Sequence, residues 1–324
     1  MTVGQTIVPI FDLPEDLQIH VVQYQHTERP IEDRYSVNLS DDGRRLLIGV
    51  YDGHGGPETA DHISQILPSR LLAHPSSQHA EQFELLDNSM ISNFKKDHSI
   101  FRRRSSNWVH NAQLMKSGSA ALVLDVDLSN LSASYANLGD CRLVLCDSNS
   151  SQKAVSFCTT DLNMNTPSER ERLIQEHPKE DYLNVGGRLF GRLMCTRGFG
   201  DGYYKLPKGI FGSSLHRKYI DTISSIERKG KIPMNAQYAS LFYAYKTPPY
   251  ITAWPDTGNL QLKKGDVVIL ATDGLWDLVS TEDATRIVLQ GMAEQENNLA
   301  KFLLEMVKAT ISIGDDVTIL VYRA

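Results

Sequence analysis

The residues best placed to do chemistry are aspartates beside short apolar runs. Asp52 closes the run Leu46–Tyr51, Asp273 follows Val267–Thr272, and Asp315 and Asp316 precede Val317–Tyr322. Apolar runs of this length, rich in β-branched residues, read as buried strands. An ionised carboxylate at the mouth of a buried strand is costly unless something neutralises it. Several such carboxylates converging are tolerable around hard divalent cations, which take oxygen ligands. Taken one at a time, a strand-end aspartate is an ordinary turn residue. Their neighbours turn these into a candidate site.

Asp52-Gly53-His54-Gly55-Gly56 sets a carboxylate, a bare backbone and an imidazole within three residues. Glycine at 53 lets its own carbonyl approach an ion closely, and His54 is then placed to give a proton to a leaving oxygen. Glu32-Asp33 adds an acidic pair after Arg29-Pro30-Ile31, and Asp273 and Asp277 lie four residues apart. Gly139-Asp140 and Thr196–Asp201 are further Gly–Asp turns. For Asp140 a turn between strands is the stronger reading.

The elements that must position these residues follow from periodicity. Strands are expected over Ile19–Tyr24, Tyr35–Leu39 and Leu46–Tyr51, then helices over 57–72 and about 79–101. Residues 120–126, 131–136, 142–146 and 154–158 read as strands in an antiparallel meander. A polar helix over 166–176 precedes a long irregular stretch, about 206–249. Helices over 281–292 and 298–310 lead to the final strand. The natural solution is a β-sandwich flanked by helices.

Bulk properties exclude several classes. The 324 residues are 41% hydrophobic and 22% charged with a net charge of -6, an ordinary globular balance that argues against a nucleic-acid binder. The four cysteines, Cys141, Cys146, Cys158 and Cys195, form no Cys-x-x-Cys pair and are expected to be free. No apolar stretch approaches the ~20 residues of a membrane span. The first Lys or Arg is Arg29, after Asp12, Glu15 and Asp16, so neither a secretory signal nor a transit peptide is expected. An intracellular protein, in cytoplasm or nucleus, is the expectation.

The ordered strings Ile31-Glu32-Asp33, Asp52–Gly56, Ser117–Ala120, Ala136–Arg142, Thr160-Asp161, Thr196–Asp201, Asp273–Asp277 and Asp315–Thr318 carry a resemblance. The set resembles the type 2C family of metal-dependent serine/threonine protein phosphatases over about residues 20–324. Pro30–Arg34, Gly191–Met194 and Thr247–Tyr250 resemble the pyruvate dehydrogenase phosphatase-like branch, which would also allow a mitochondrial site.

The resemblance implies an α+β, four-layer αββα sandwich of two mostly antiparallel sheets. It implies one domain over 19–324, after an extension over 1–18, with a flap-like insertion at about 206–249. Two Mn²⁺ or Mg²⁺ ions would be bridged by Asp52. Asp273 and Asp315 would complete the first ion's ligands, the Gly53 carbonyl would bind the second with Glu32 close by, and Asp33 would hold metal-bound water. Asp161, Asp273 and Asp277 match a weaker third ion, and His54 the general acid. The implied reaction is direct attack of a metal-bridging water on phosphoserine or phosphothreonine, without a phosphoenzyme. No cysteine here is followed six residues later by arginine, as a cysteine-dependent phosphatase requires. A monomer acting on phosphoproteins, without nucleic-acid or membrane partners, is expected.

The chain departs from the family where an arginine grips the phosphate: that position is Glu28, and Arg29 is displaced by one. Arg29 is the leading substitute, with Arg34 and Arg192 as alternatives. A pseudophosphatase that only binds partners, and a hydrolase of small phosphoesters, are the competing functions.

Overall fold

A computed structural model describes residues 4–9, 14, 17–98, 103–147, 154–207 and 246–324. Most of the expected insertion at 206–249 therefore lies outside the described residues, as does part of the 1–18 extension. Two antiparallel sheets form the centre. One has the order β12 (Asp256–Gln261), β6 (Ser132–Leu138), β5 (Gly118–Asp127), β4 (Arg45–His54), β3 (Arg34–Leu39), with β11 (Phe199–Gly200) also pairing with β5. The other runs β1 (Thr6–Ile7), β2 (Gln18–Tyr24), β14 (Val317–Arg323), β13 (Val267–Ala271), β7 (Arg142–Cys146), β8 (Val155–Cys158). A two-stranded ribbon, β9 (Asn184–Val185) and β10 (Arg188–Leu189), stands apart.

The central strands are apolar on both faces because both faces are covered. In β4, Leu46, Ile48 and Val50 point between the sheets, whereas Leu47 and Tyr51 pack under helices on the outer face. In β13, Val268 and Leu270 face the other sheet, while Val267, Ile269 and Ala271 meet the helices Thr281–Ala293 and Leu299–Lys308. Period-two alternation thus splits one apolar run between two cores. The outer helices on the first sheet are α1 (Glu58–Leu72), α2 (His79–Asp97) and α3 (Trp108–Lys116). The αββα architecture stands as expected.

Helix starts follow local chemistry. Ser280 accepts from the Asp283 N–H at 3.1 Å, and Asn298 accepts from the Lys301 N–H at 2.8 Å, each satisfying an orphan donor of the first turn. In α1, Ile63, Leu67 and Leu71 recur every fourth residue and are fully buried, as a core-facing stripe requires.

Three features differ from the sequence expectation. The 120–158 strands are not one meander: β5 and β6 lie in one sheet, β7 and β8 in the other. The chain changes sheets at Gly139, whose φ is 119° and where a Cβ would collide with Ala120. Helix α3 and the edge strand β12 were not expected. In β12, Asp-Thr-Gly-Asn-Leu-Gln is polar because an edge strand is half exposed.

Candidate active site

The strand ends converge at one mouth of the sandwich. There Glu32, Asp52, Gly53, His54, Asp140, Asp161, Asp273, Asp277 and Asp315 line a single cavity of about 450 Å³, with Arg188, Asn163, Asn165 and Cys195 completing its wall. Seven carboxylates from six stretches of chain share it. Asp52 continues the inward parity of Leu46, Ile48 and Val50 and so faces the gap between the sheets. Asp273 starts a helical turn directly after β13, and Asp315 stands just before its partner β14. Asp140, read from sequence as a turn, sits in the crossover between sheets and thereby enters the cavity.

The acids crowd one another electrostatically. Burial first, then the charge of Asp140, pushes Asp273 up to about 7. Asp52 is held well above the carboxylate range by burial and by the charges of Asp273, Asp33 and Asp140. Glu32 is raised by burial, with the Gly56 N–H and His54 opposing that shift. Asp277 is raised by burial and by Asp140 and Asp315. Among the lining residues, Arg188 and His54 are the groups that can carry positive charge. Arg142 reaches Asp161 from behind, its Nη2 and Nε donating at 2.7 and 3.0 Å.

Asp33 lies behind the cavity wall. It is buried, and its Oδ2 accepts from the Thr272 hydroxyl at 2.8 Å. The Thr272 hydroxyl in turn accepts from the Thr318 N–H at 3.0 Å. Burial raises Asp33 strongly, with the charges of Asp316 and Asp273 adding to it and Thr272 opposing. Asp316, which the sequence left without a role, braces the Glu32 loop by accepting from the His26 and Glu32 N–H groups at 3.1 and 2.9 Å.

The arginines divide. Arg29 is exposed and is not among the lining residues. Arg34 pairs with Asp61 and donates to the Ile31 and Asp33 carbonyls at 2.8 and 2.6 Å. The Arg192 guanidinium lies 5.9 Å from the Tyr203 ring centroid. Arg188, on the β9–β10 ribbon, is the arginine that lines the cavity, and one Nη1 donor engages the Arg192 carbonyl at 3.0 Å. No periodic or motif signal marked it, because a two-residue ribbon strand has none.

His54 turns its Nε2 onto Asp201, 2.9 and 3.0 Å from the two carboxylate oxygens. Burial alone would lower the imidazole's pKa; Asp201, with Asp140 and Glu32, raises it. The segment carrying Asp201 is anchored by α4 (Pro167–Glu176). Glu169 receives the Arg197 guanidinium at 2.7 Å, the Arg172 guanidinium at 2.8 Å and the Thr196 hydroxyl at 2.6 Å. On the other side, buried Lys205 donates to Asp87 at 2.8 Å and to the Gly198 carbonyl at 2.7 Å. Removing one partner of such a buried pair typically costs ~3–5 kcal/mol, so this segment is firmly held.

The donor set suits hard cations: carboxylates and the Gly53 carbonyl supply oxygen, as Mg²⁺ and Mn²⁺ prefer. The one thiol in the wall, Cys195, donates to Asp140 at 3.0 Å. Among the described residues no three Asp, Glu, His or Cys side chains close on a common point.

The Protein phosphatase 2C family model matches residues 18–314. The chain belongs to the protein phosphatase 2C family. A protein phosphatase 2C homolog of Schizosaccharomyces pombe is 32% identical over 76% of this chain and 56% of its own length. The mitochondrial pyruvate dehydrogenase phosphatase 1 of Saccharomyces cerevisiae is 26% identical over 94% of this chain and 55% of its own. This phosphatase 2C chain thus spans about half the length of the curated relatives it matches. The crystal structure of a serine-threonine phosphatase 2C from Toxoplasma gondii aligns over 99% of both chains with a TM-score of 0.61 at 17% identity, a likeness of fold.

The Glu169 anchor gives a pH prediction. Burial would raise this carboxyl, but hydrogen bonds from Arg197, Arg172 and Thr196 outweigh it and hold the group down to about 2, against an ordinary 4.5. A depressed folded-state pKa contributes stability that is complete above the unfolded value and lost as pH falls through the folded one. The stability gap between wild type and Glu169→Gln should be full above about pH 5 and narrow toward pH 2, read by denaturant unfolding. A gap independent of pH would contradict the assignment.

Proposed function

We propose that this chain is a metal-dependent protein phosphatase hydrolysing phosphoserine and phosphothreonine in proteins. The observation that carries the reading is the convergence of Glu32, Asp52, Asp140, Asp161, Asp273, Asp277 and Asp315 with His54 on one cavity. Asp52, Asp273 and Asp315 would hold one divalent cation, and Asp52 with the Gly53 carbonyl a second, Glu32 beside it. Asp161, Asp273 and Asp277 would take a weaker third. Bound there, Mg²⁺ or Mn²⁺ supplies a water nucleophile at neutral pH and charge to balance the phosphoryl oxygens. Asp33, fixed by Thr272, orients the nucleophile's side of the site. His54 protonates the departing serine or threonine oxygen. No protein nucleophile is required. The pyruvate dehydrogenase phosphatases among the relatives are named for a protein substrate, which supports a phosphoprotein over a small phosphoester.

For the phosphate grip we favour Arg188 over Arg29, because Arg188 lines the cavity. A charge-assisted hydrogen bond to phosphate is worth ~1.5–3 kcal/mol, so Arg188→Ala should raise KM for a phosphothreonine peptide about 10- to 100-fold. Arg29→Ala should change it little. The larger effect in Arg29→Ala would return the role to that residue.

Asp273→Ala should abolish Mn²⁺-dependent hydrolysis of 4-nitrophenyl phosphate and of a phosphothreonine peptide, with a cooperative unfolding transition retained. Full activity in that variant would refute the metal assignment. Wild-type turnover of nucleotide or sugar phosphates faster than of phosphopeptides would refute the protein-substrate reading.

A further inference from the structure

Asp201 is held in a conformation uncommon for a non-glycine residue, though aspartate is among those that tolerate it. Its φ is 52° and its ψ 42°, in the left-handed region. Such strain persists only where the surroundings over-determine it, and it clusters at functional positions. Here the constraints are explicit. The Asp201 N–H donates to the Ser117 carbonyl at 3.0 Å, and the Gly200 N–H donates to buried Asp87 at 2.9 Å. Thr59 ties the same Ser117 carbonyl to α1, its hydroxyl donating at 3.1 Å. Three segments, at Ser117, Asp87 and Thr59, thus fix the backbone from which one carboxylate projects.

That carboxylate meets His54 above Gly118. A Cβ at 118 would collide with both His54 Nε2 and Asp201 Oδ2, so the strand partner facing His54 in the β4–β5 pairing has to be glycine. An ionised carboxylate only accepts, so Nε2 carries the hydrogen of this contact. His54 Nδ1 has no hydrogen-bond partner among the described residues.

We propose that Asp201 is a positioning residue for His54: it holds the imidazole through Nε2 and leaves Nδ1 as the nitrogen that protonates the leaving oxygen. The inference rests on the reading of His54 as general acid. In the step, the oxygen of water bonds to phosphorus as the bond between phosphorus and the serine or threonine oxygen breaks, and the electron pair of the broken bond stays on that oxygen. The oxygen takes the Nδ1 proton. His54 is left neutral with Nε2–H still on Asp201, ready to be reprotonated at Nδ1 by solvent. Fixing ring orientation in this way is how a carboxylate supports an acid–base histidine without itself exchanging the proton.

The test compares phenyl phosphate, a poor leaving group, with 4-nitrophenyl phosphate in the full chain with Mn²⁺. Asp201→Asn should lower kcat for phenyl phosphate about 10- to 100-fold more than for 4-nitrophenyl phosphate. The double variant with His54→Gln should be no slower than His54→Gln alone. Equal slowing of the two esters by Asp201→Asn, or additive losses in the double variant, would overturn the proposal. If His54→Gln is selective and Asp201→Asn is not, only this proposal falls; if His54→Gln slows both esters alike, the acid assignment falls with it. A second measurement does not need the variant to fold. ¹⁵N-histidine spectra of the metal-free wild-type chain should show His54 with Nε2 protonated, and an unprotonated Nε2 would overturn the pairing.

Discussion

Burial of carboxylates beside one another at one mouth of the sandwich is the constraint on which the rest of the structure depends. Asp273 is driven up to about 7 and Asp52 well above its ordinary range, which states the cost in the folded chain directly: ionising each group fights burial and its neighbours. A fold selected for stability alone would not gather seven acids around one cavity. The surrounding elements make this possible. Apolar strands covered on both faces supply the rigidity, and the Thr272–Asp33, Asp316–Glu32 and Arg142–Asp161 contacts hold individual acids from behind.

A second layer of charge serves the opposite purpose. Glu169 between Arg172 and Arg197, and Lys205 on Asp87, are compensated pairs that hold the Thr196–Asp201 segment against the helices. They bring Asp201 onto His54 from a strained backbone position. Most acids facing the cavity are thus left without a cation, Asp161 with its Arg142 excepted, while Glu169 and Asp87 behind it are paired. This division separates the acids that line the cavity from the charges that brace the segment beside it.

Much of this was legible in the sequence where a side chain's place follows from its own strand. Asp52, Asp273 and Asp315 announce themselves because each ends a run whose burial is evident from composition. Glu32 and Asp277 stood out as members of acidic pairs, with their roles drawn from the family strings, and Asp161 came from its match to such a string. What escaped was set by long-range topology. Asp140 reads as a turn unless one knows that β6 and β7 belong to different sheets. Arg188 sits on a two-residue ribbon strand with no period to detect, and Arg29 looked suitable by spacing yet stays outside the cavity lining. Helix α3 was missed because its nine residues bury only Ala112, Leu114 and Met115. Strand β12 was missed because an edge strand alternates weakly.

The central claim is that the gathered acids exist to hold divalent cations, and calorimetric titration of the chain with Mn²⁺ tests it without reference to turnover. The account predicts saturable binding of at least two ions, with the tight sites lost in Asp52→Ala, the residue proposed to bridge them. Absence of saturable binding in the wild-type chain, or an isotherm unchanged by Asp52→Ala, would contradict it.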